Sequence, residues 1–578
     1  MQTIPQKFNE TAAKFPKRPA LKFKYHGAYL SVSFAELRQR VAVMAQGLQS
    51  LGVRHGDRVA ILSENRTEWV RTDLATLTLG AIVVPVHTTL SPTIIKHILN
   101  DSGAKLVVVS NQSQLNKLLL AIDELPALET VVFINLDHPE IYQTKGKQLM
   151  SLDEVMTAGE RSSQAIDSSV EADDVASIVY TSGTTALPKG VMLTHRNFMF
   201  NAEASLTAVP ATERDRFLSF LPLSHVLERT CGYYAPLVCR GACIAYAEDI
   251  KMLAQNLREI KPTMMISVPR IFEKLHKSIW DKMKPAGSLK YRLFIWALKQ
   301  VPGNLGHLLA DRLLFRRIRA KLGGHLRVTI SGGSSLNSRL ARFFQRLKIT
   351  IVEGYGLTET APVVTACRLG NVKIGTVGIQ LPGVEIKLGP DKEILVHGPN
   401  VMKGYYNNLT LTNEVIDADG WFHTGDLGFI DREGFLVIIG RKKEMISLST
   451  GKIVWPEQLE LQLNNDRLIS QSCVFGNNRS YLVALLVPDW QEVNRSLPEL
   501  QSNGREPDQM VRSPQLQQLI QRRLEKINDQ LADWEKIRTF TLLPREFSQA
   551  GDELTPTLKL RRTVIASRYA KEIERMYS

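Results

Sequence analysis

A run of hydroxyl side chains with one lysine follows an apolar segment of the chain, between Thr181 and Gly190. Hydroxyl groups and backbone amides can surround the oxygens of a polyphosphate, and a lysine offsets their negative charge. The members of the run suited to this task are Thr181, Ser182, Gly183, Thr184, Thr185 and Lys189. The spacing does not fit a Walker phosphate loop, and a solvated turn rich in Ser and Thr is the open alternative.

Two further segments carry groups that suit a nucleotide. In Glu353–Thr360, Tyr355 can stack on a purine, and Glu359 can bind Mg²⁺, a hard cation that prefers oxygen ligands. In Ser331–Ser335, two glycines would let the backbone approach a ligand closely. Taken singly, each segment also fits an ordinary strand-to-helix turn.

The elements that must position these groups follow an α/β pattern. Ser33 and Glu36 fit the capping box of a helix, and short apolar runs such as Arg58–Leu62 alternate with helical stretches. This alternation predicts largely parallel sheets. Between about residues 370 and 440 the segments shorten and Gly, Pro and Asp become frequent, which predicts a β-rich subdomain.

The character of the chain changes after Gly440. Strands are predicted near Val474 and over Tyr481–Val487, a helix over Gln515–Leu531, and an exposed loop over Gln491–Pro514. We therefore expect a large N-terminal α/β domain, residues 1–440, and a small α+β C-terminal domain, residues 441–578.

Composition indicates a large folded protein. The chain has 578 residues, which predicts about three or four domains. Its 44% hydrophobic and 22% charged residues exclude a disordered chain. Because no apolar run reaches the ~18 residues of a membrane-spanning helix and the N-terminus lacks a signal-peptide core, we expect a cytoplasmic location. The five scattered cysteines show no C-x-x-C pair and predict neither a disulfide framework nor a zinc site.

In their order along the chain, the motifs resemble those of the acyl-adenylate-forming (AMP-binding) superfamily of acyl-CoA synthetases, aryl-CoA ligases, luciferases and peptide-synthetase adenylation domains. The resemblance covers nearly the whole chain and rests on five segments: Thr181–Gly190, Gly354–Thr360, Trp421–Leu427, Gly440–Glu444 and Leu554–Leu560. It implies an N-terminal AMP-binding domain and a mobile C-terminal domain that carries a catalytic lysine.

The resemblance also implies a role for each matching residue. Those that would bind ATP or AMP are Thr181, Ser182, Gly183, Thr184, Thr185, Lys189, Gly333, Glu353, Gly354, Tyr355, Thr358, Asp426, Arg441 and Lys559. Those that would act in catalysis are Lys559, Thr358, Glu359 and His225. Thr181 and Glu359 would share Mg²⁺, and Lys443 would be the pivot of the C-terminal domain.

Two narrower segments, Leu221–Arg229 and Lys261–Phe272, resemble long-chain fatty acyl-CoA synthetases. They imply that ATP activates a long-chain fatty acid as acyl-AMP, with Mg²⁺ as cofactor, and that CoA then accepts the acyl group. His225 would lie near the reacting carboxylate, and a structural histidine bonded to backbone is the open alternative. An acyl-acyl carrier protein synthetase and a catalytically silent lipid-binding relative are the competing functions. No recognised module supports nucleic-acid binding.

Positive charge is concentrated in one segment. The net charge of the chain is +14, and Lys274–Arg327 contains 13 Lys and Arg against two acids, a net of +11. The apolar and aromatic residues among these cations are Trp280, Tyr291, Leu293, Phe294, Ile295 and Trp296. The combination suits peripheral docking on an anionic membrane, at its inner face, or on an acidic acyl carrier protein. Helices with a solvated basic face are the open alternative.

The chain departs from the family pattern at Ala186, where the family usually has Gly. An alanine tolerates a positive φ less well than a glycine, so we expect a less mobile phosphate loop. A faster ATP–pyrophosphate exchange in Ala186→Gly would show that this alanine limits the loop, and an unchanged rate would show that it does not.

Overall fold

The computed structural model describes residues 1–166, 169–181, 187–283, 289–499, 506–555 and 559–578. The chain divides into two compact units. The larger unit contains Met1–Lys387, Leu395–His423 and Arg432–Leu436, and the smaller contains Leu388–Ile394, Thr424–Asp431 and Val437–Ser578. No helix in the described part of the chain is both long enough and apolar enough to cross a bilayer.

An eight-stranded sheet forms one layer of the larger unit. From edge to edge its strands are Gly404–Tyr405, Lys189–Thr194, Val175–Thr181, Ile82–Val86, Arg58–Leu62, Leu106–Val109, Thr130–Phe133 and Gln148–Ser151. The six strands from Val175–Thr181 to Gln148–Ser151 pair in parallel, which confirms the prediction. Four of the five residues of Arg58–Leu62 are buried, as expected for a central strand covered by helices on both faces.

A nine-stranded sheet forms the second layer. Its strands, in order, are Ile379–Gln380, Val363–Ala366, Thr350–Gly356, Val328–Ser331, Met264–Ser267, Arg216–Ser219, Cys243–Tyr246, Pro19–Tyr25 and Ala28–Ser33. The central strands are parallel and the strands at both edges are antiparallel. The carboxyl ends of parallel strands are the usual place for ligands in such sheets.

Helices cover the sheets of the larger unit. They are Ile4–Lys14, Phe34–Ser50, Thr67–Thr78, Pro92–Ser102, Gln112–Leu119, Leu152–Arg161, His195–Ala208, Leu253–Ile260, Pro269–Met283, Leu289–Lys299, Leu305–Ala310, Arg316–Lys321, Ser338–Arg346 and Leu409–Val415, with π-helical turns at Glu228–Cys239 and Asp311–Phe315. The predicted capping box is present, because Ser33 accepts from the Glu36 amide and Glu36 accepts from the Ser33 amide.

A four-stranded sheet consists of Glu385–Leu388, Glu393–His397, Phe422–Ile430 and Leu436–Arg441 in that order. It occupies the stretch in which frequent turn residues predicted a β-rich subdomain. The fold class is therefore the predicted one, with mixed α/β sheets, this β-rich part and an α+β C-terminal region.

The main part of the smaller unit is built on one central strand. Leu482–Pro488 pairs with Ile469–Phe475 and Ile537–Leu542, and all seven of its residues are buried. Its alternate side chains enter two different hydrophobic cores, one on each face of the sheet. The surrounding elements are the strands Ile446–Ser447 and Ile453–Val454 and the helices Pro456–Leu463, Trp490–Ser496, Pro507–Met510, Pro514–Asn528, Arg562–Arg568 and Ala570–Arg575.

The loop predicted over Gln491–Pro514 was wrong in part. The structure has helices at Trp490–Ser496 and Pro507–Met510, and residues 500–505 lie outside the described residues. Buried Val493 and Met510 anchor these short helices on the core, so two apolar contacts give order to an otherwise polar stretch.

Candidate functional site

The strands Val175–Thr181 and Lys189–Thr194 flank the predicted phosphate segment. Thr181 and Lys189 are direct partners in this antiparallel ladder, so their side chains lie on the same face. The Oγ1 atom of Thr181 is buried and has no hydrogen-bond partner in the described part of the chain. The predicted Ser182, Gly183, Thr184 and Thr185, and the departure at Ala186, lie outside the described residues.

A lysine, a tyrosine and a glutamate meet beside this ladder. Lys189 Nζ donates to Tyr405 Oη at 2.5 Å, and Tyr405 Oη donates to Glu359 Oε1 at 2.8 Å. The Lys189 ammonium also lies 3.9 Å from Glu359 Oε1 and 3.9 Å from the centre of the Tyr405 ring. The structure thus brings two of the predicted residues, Lys189 and Glu359, into one cluster next to Thr181.

Sequence reasoning missed Tyr405. The residue lies in the two-residue edge strand Gly404–Tyr405, where it pairs with Val191. It is 216 positions from Lys189, and no local pattern marks it, because only the addition of this strand to the sheet creates the contact.

Thr181 and Glu359 fit the predicted assignment to Mg²⁺. Thr181 contributes a buried hydroxyl that no described residue bonds to, and Glu359 contributes a carboxylate. Both offer oxygen ligands of the kind that Mg²⁺ prefers. A site with so few protein ligands would be completed by water and by substrate phosphates.

The predicted adenine segment lies at the ends of two parallel strands, Val328–Ser331 and Thr350–Gly356, in which Ser331 pairs with Glu353. The turn after the first strand contains Gly333 with φ of 84°. Space is not the constraint there, since an added Cβ would meet only Val268 Cγ1 at 3.8 Å. The left-handed backbone itself favours glycine at Gly333.

The second strand carries the remaining predicted adenine residues. Burial raises the pKa of the Glu353 carboxyl to about 7, against the effect of two backbone amides that donate to it. Gly354 and Tyr355 follow, and Tyr355 pairs with Thr365 of the antiparallel neighbour. The strand leads directly into the helical turn Thr358–Thr360, which contains Glu359. One strand end therefore connects the adenine residues to the Lys189–Tyr405–Glu359 cluster.

The segment around His225 packs against the same glycine-rich turn. An added Cβ at Gly332 would approach Leu227 Cδ2 to 2.9 Å, so the two segments are in close contact. His225 Nδ1 accepts from the Leu227 amide at 3.3 Å, which gives this nitrogen the structural role that the sequence left open.

A second histidine, His87, was not predicted from the sequence. Its ring centre lies 6.4 Å from that of His225, and its Nδ1 is hydrogen-bonded to Ser224 Oγ at 2.7 Å. Burial lowers the pKa of His87 to about 4, so the ring is neutral at pH 7. The short apolar stretch that precedes it, Val84–Val86, contains no motif that indicates a function.

A fully buried ion pair anchors the end of the His225 segment. The Arg229 guanidinium pairs with the Asp73 carboxylate, and both side chains are inaccessible to solvent. Arg229 also donates to Tyr234 Oη at 2.8 Å and to Ser177 Oγ at 2.7 Å. Tyr233 and Tyr234 donate to the second oxygen of Asp73 at 3.1 and 2.9 Å. Every charged atom of the pair thus has a partner, as a buried ion pair requires.

In the smaller unit, Asp426 and Arg441 form an ion pair. Arg441 Nε donates to Asp426 Oδ1 at 2.8 Å, and Asp426 is buried while Arg441 is half-buried. The two residues predicted to hold ribose hydroxyls are therefore adjacent, and the arginine orients the carboxylate.

Lys559 belongs to the same electrostatic group. Its backbone exchanges hydrogen bonds with Thr555, with Lys559 N donating to Thr555 Oγ1 at 3.0 Å and Thr555 N donating to Lys559 O at 2.8 Å. Although the residue is exposed, protein atoms around its amino group and the charge of Arg441 lower the pKa of Lys559. The carboxylates of Glu457 and Asp426 oppose that shift.

Lys443, the predicted pivot, lies in the helical turn Lys442–Glu444 and is exposed. The preceding Lys442 is tied to Asp391 at 2.5 Å and to Glu393 at 3.6 Å. These contacts fix the start of the turn and leave Lys443 itself on the surface.

Comparison with family models matches nearly the whole chain. The model described as AMP-binding enzyme matches residues 8–406, and the model described as AMP-binding enzyme C-terminal domain matches residues 443–578.

Curated relatives extend this result. The chain is 36% identical to the long-chain-fatty-acid–CoA ligase FadD15 of Mycobacterium bovis, over 96% of this chain and 93% of the relative. It is 28% identical to the chloroplastic long-chain-fatty-acid–[acyl-carrier-protein] ligase AEE15 of Arabidopsis thaliana, over 100% of this chain and 87% of the relative. The names of these two relatives differ in the thiol acceptor.

Solved structures agree in fold. The A domain of carboxylic acid reductase from Segniliparus rugosus, in complex with AMP and a co-purified carboxylic acid, matches with a TM-score of 0.81 and 22% identity, over 100% of this chain and 94% of that one. O-succinylbenzoate coenzyme A synthetase from Bacillus subtilis, in complex with AMP, matches with a TM-score of 0.69 and 23% identity, over 97% and 98%. At these identities the likeness concerns the fold alone.

Proposed function

Because the chain belongs to the AMP-binding enzyme family, we propose that it joins a long-chain fatty acid to CoA through an acyl-adenylate. The observation that carries the proposal is the Lys189–Tyr405–Glu359 cluster beside the hydroxyl of Thr181, which has no hydrogen-bond partner among the described residues. A cation, a carboxylate and a hydroxyl that lie close together suit a magnesium-bound polyphosphate.

In the first half-reaction, a fatty acid oxygen attacks the α-phosphorus of ATP, and pyrophosphate leaves. Lys189 and the hydroxyls of the Thr181–Gly190 segment hold the β- and γ-phosphates, and Thr358 contacts the α-phosphate. Thr181 and Glu359 would hold Mg²⁺, which would neutralise charge at these phosphates. Tyr405 holds Glu359 and Lys189 in position, because its hydroxyl bonds to both.

The nucleoside is held by two sets of residues. Gly333, Glu353, Gly354 and Tyr355 frame the adenine, and Glu353 is a buried residue whose carboxyl has a pKa raised by burial to about 7. Asp426 accepts hydrogen bonds from the ribose hydroxyls, and Arg441 orients Asp426.

Lys559 stabilises the negative charge that gathers between the carboxylate and the α-phosphate. We propose a domain boundary near Gly440 and a rotation about Lys443 after adenylation. The rotation removes Lys559 and admits CoA, whose thiolate attacks the acyl carbon and releases AMP.

The acceptor thiol has a second candidate. A relative named as an acyl-carrier-protein ligase aligns over the whole chain, and the basic segment Lys274–Arg327 offers a surface for either an acidic carrier protein or an anionic membrane. CoA is favoured because the 36%-identical relative carries the CoA-ligase name. A catalytically silent lipid-binding protein is disfavoured, since Glu359, Asp426 and Lys559 are all present.

A thiol comparison tests this proposal. Purified protein, palmitate and Mg·ATP are supplied with CoA or with acyl carrier protein, and the thioester is measured. Palmitoyl-CoA as the main product is expected. Exclusive acylation of the carrier protein would move the assignment to the second candidate, and no thioester or adenylate with either thiol would overturn it.

A further inference from the structure

A continuous helical stretch in the basic segment has one buried and one exposed face. It runs from Leu305–Ala310 through Asp311–Phe315 to Arg316–Lys321. The side chains that face the interior are His307, Ala310, Leu314, Phe315 and Ile318. The opposite face is solvent-exposed along the whole stretch.

The first half of the exposed face is aliphatic. Leu305 is 85% exposed and Val301, in the preceding turn, is 65% exposed. Leu308, Leu309 and Leu313 are exposed as well. Leu305, Leu308 and Leu309 share one side of the helix because they are three and four positions apart. These five exposed aliphatic residues lie within 13 positions and form an apolar surface patch, which is unfavourable in water.

The second half of the exposed face is cationic. Its exposed cations are Arg312, Arg316, Arg317 and Lys321, and a fifth exposed cation, Lys299, lies at the other end of the patch, just before the turn. None of these five makes an ion pair with another described residue. The one acid of the stretch, Asp311, is already paired with Arg319 at 2.5 Å and with Lys348 at 3.0 Å.

The aromatic residues expected to form this surface contribute little to it. Phe294 is fully buried, and Trp280 packs edge-on against it with ring centres 5.0 Å apart. Leu293, Ile295 and Trp296 are only partly exposed. Helices Pro269–Met283 and Leu289–Lys299 use these rings for their mutual packing, so the exposed apolar groups are the leucines that follow.

We propose that the turn at Val301 and the helical face Leu305–Lys321 form a docking surface for an anionic lipid bilayer. Leu305, Leu308 and Leu309 enter the boundary between headgroups and acyl chains, while Arg312, Arg316 and Arg317 contact lipid phosphates. The inference rests on, and deepens, the proposed action on a long-chain fatty acid, which partitions into membranes.

The composition of the patch favours a bilayer over a carrier protein. Insertion into a fluid apolar phase needs no matching pocket, and the patch presents aliphatic side chains flanked by cations. The core of a specific protein interface is typically enriched in aromatic residues, methionine and arginine. The described residues at the centre of the patch are Leu305, Leu308 and Leu309.

Vesicle co-sedimentation of the full-length protein tests the proposal. The vesicles contain phosphatidylcholine alone or phosphatidylcholine with phosphatidylglycerol, at low and high salt. The apolar variant is Leu305→Ser with Leu308→Ser and Leu309→Ser. The charge variant is Arg312→Gln with Arg316→Gln and Arg317→Gln.

We expect the wild type to bind the anionic vesicles and to lose binding as salt rises. The charge variant should bind them about 100-fold more weakly, and the apolar variant at least about tenfold more weakly. Equal affinity of the wild type for both vesicle types, or wild-type binding by either variant, would overturn the proposal. So would binding to acyl carrier protein, but to no vesicle, through the same residues.

Matched controls separate the patch from general effects. Leu120 and Leu409 are 77% and 72% exposed elsewhere on the larger unit, so Leu120→Ser with Leu409→Ser should bind like wild type. Lys17→Gln with Lys251→Gln and Arg432→Gln serves as the charge control. All variants are expected to keep the wild-type melting temperature, since the changed side chains are exposed.

Adenylation of detergent-dispersed palmitate distinguishes the two proposals. A variant that loses docking and keeps adenylation supports the docking surface independently of the site. A wild type that docks and makes no adenylate would leave the docking surface intact and would overturn the proposed function.

Discussion

Two clusters in the larger unit combine a carboxylate, a cation and tyrosine, and they differ in exposure. Asp73, Arg229 and two tyrosines are sealed in the interior, where every charged atom has a protein partner. Glu359, Lys189 and Tyr405 lie at a strand end, next to a hydroxyl that has none among the described residues. The same chemistry therefore gives a fixed structural anchor in one place and, in the other, the groups that we propose bind a ligand.

The difference teaches how to separate structural from functional charge. A sealed pair offers nothing to a substrate, and its removal leaves a buried charge without a partner. A cluster whose lysine is partly exposed can exchange its internal contacts for contacts to phosphate. Loss of the first should reduce stability, and loss of the second should reduce activity.

The largest expected effect is on stability. Arg229→Met leaves the Asp73 carboxylate buried without its cation, which should cost about 3–5 kcal/mol of unfolding free energy. Urea unfolding followed by tryptophan fluorescence measures the loss. The double variant Asp73→Leu with Arg229→Met should recover part of it, because no buried charge is left. An unchanged unfolding midpoint in Arg229→Met would contradict the structural assignment of the pair.

Glu359→Gln should have the opposite effect, a loss of activity without a loss of stability. The fold should melt as in wild type, while ATP–pyrophosphate exchange with palmitate falls about 10²–10³-fold, since the neutral amide is a poorer ligand for Mg²⁺. Glu385→Gln, which changes an exposed carboxylate in the same unit, is the control and should keep full activity. Exchange at the wild-type rate in Glu359→Gln would remove Glu359 from the site.

Tyr405→Phe should have a smaller effect. The ring stays beside the Lys189 ammonium, and only the hydroxyl that joins it to Glu359 is lost. A hydrogen bond to a charged group contributes about 1.5–3 kcal/mol, so we expect about a tenfold lower kcat/KM for ATP. Tyr406→Phe is the neighbouring control. Equal kinetics in both variants would show that the Tyr405 hydroxyl does not position the site.

The smallest expected effect concerns Glu228, which precedes Arg229 and pairs with no cation in the described part of the chain. Burial raises the pKa of its carboxyl to about 8, despite the hydrogen bond that Ser219 donates to it at 2.6 Å. Between the ordinary pKa of a glutamate and pH 8 the folded protein holds a proton that the unfolded chain releases, so stability falls as pH rises.

Glu228→Gln should therefore flatten the decline of the melting temperature between about pH 5 and pH 8. Part of the slope should remain, because burial also raises the pKa of Glu353 to about 7. A melting profile that falls as steeply in Glu228→Gln as in wild type would show that Glu228 is not the titrating group.

The sequence predicted the local features of this protein well. Apolar runs such as Arg58–Leu62 became strands with the expected bounds, and Ser33 with Glu36 capped the expected helix. These features depend on neighbours within a few positions. Glu359 and Lys189 were recognisable for the same reason, since each lies in a short motif.

Contacts between distant segments were beyond the reach of sequence patterns. Tyr405 joins the site through an edge strand, and His87 reaches His225 from 138 positions away, from a segment with no motif. In the sequence, Asp73 is a single polar residue in a helix, and only the fold shows that it pairs with Arg229. In the basic segment, the sequence predicted that aromatic residues such as Phe294 would form the docking surface. Phe294 is buried, and the leucines that follow are exposed instead.

Hydroxamate trapping of the adenylate tests the central claim, that this site activates a fatty acid. Wild-type protein with palmitate and Mg·ATP should give palmitoyl hydroxamate and pyrophosphate without any thiol. Lys559→Ala should lose this product and still transfer the acyl group from preformed palmitoyl-AMP to CoA. Absence of adenylate from the wild type with every fatty acid tested would contradict the claim.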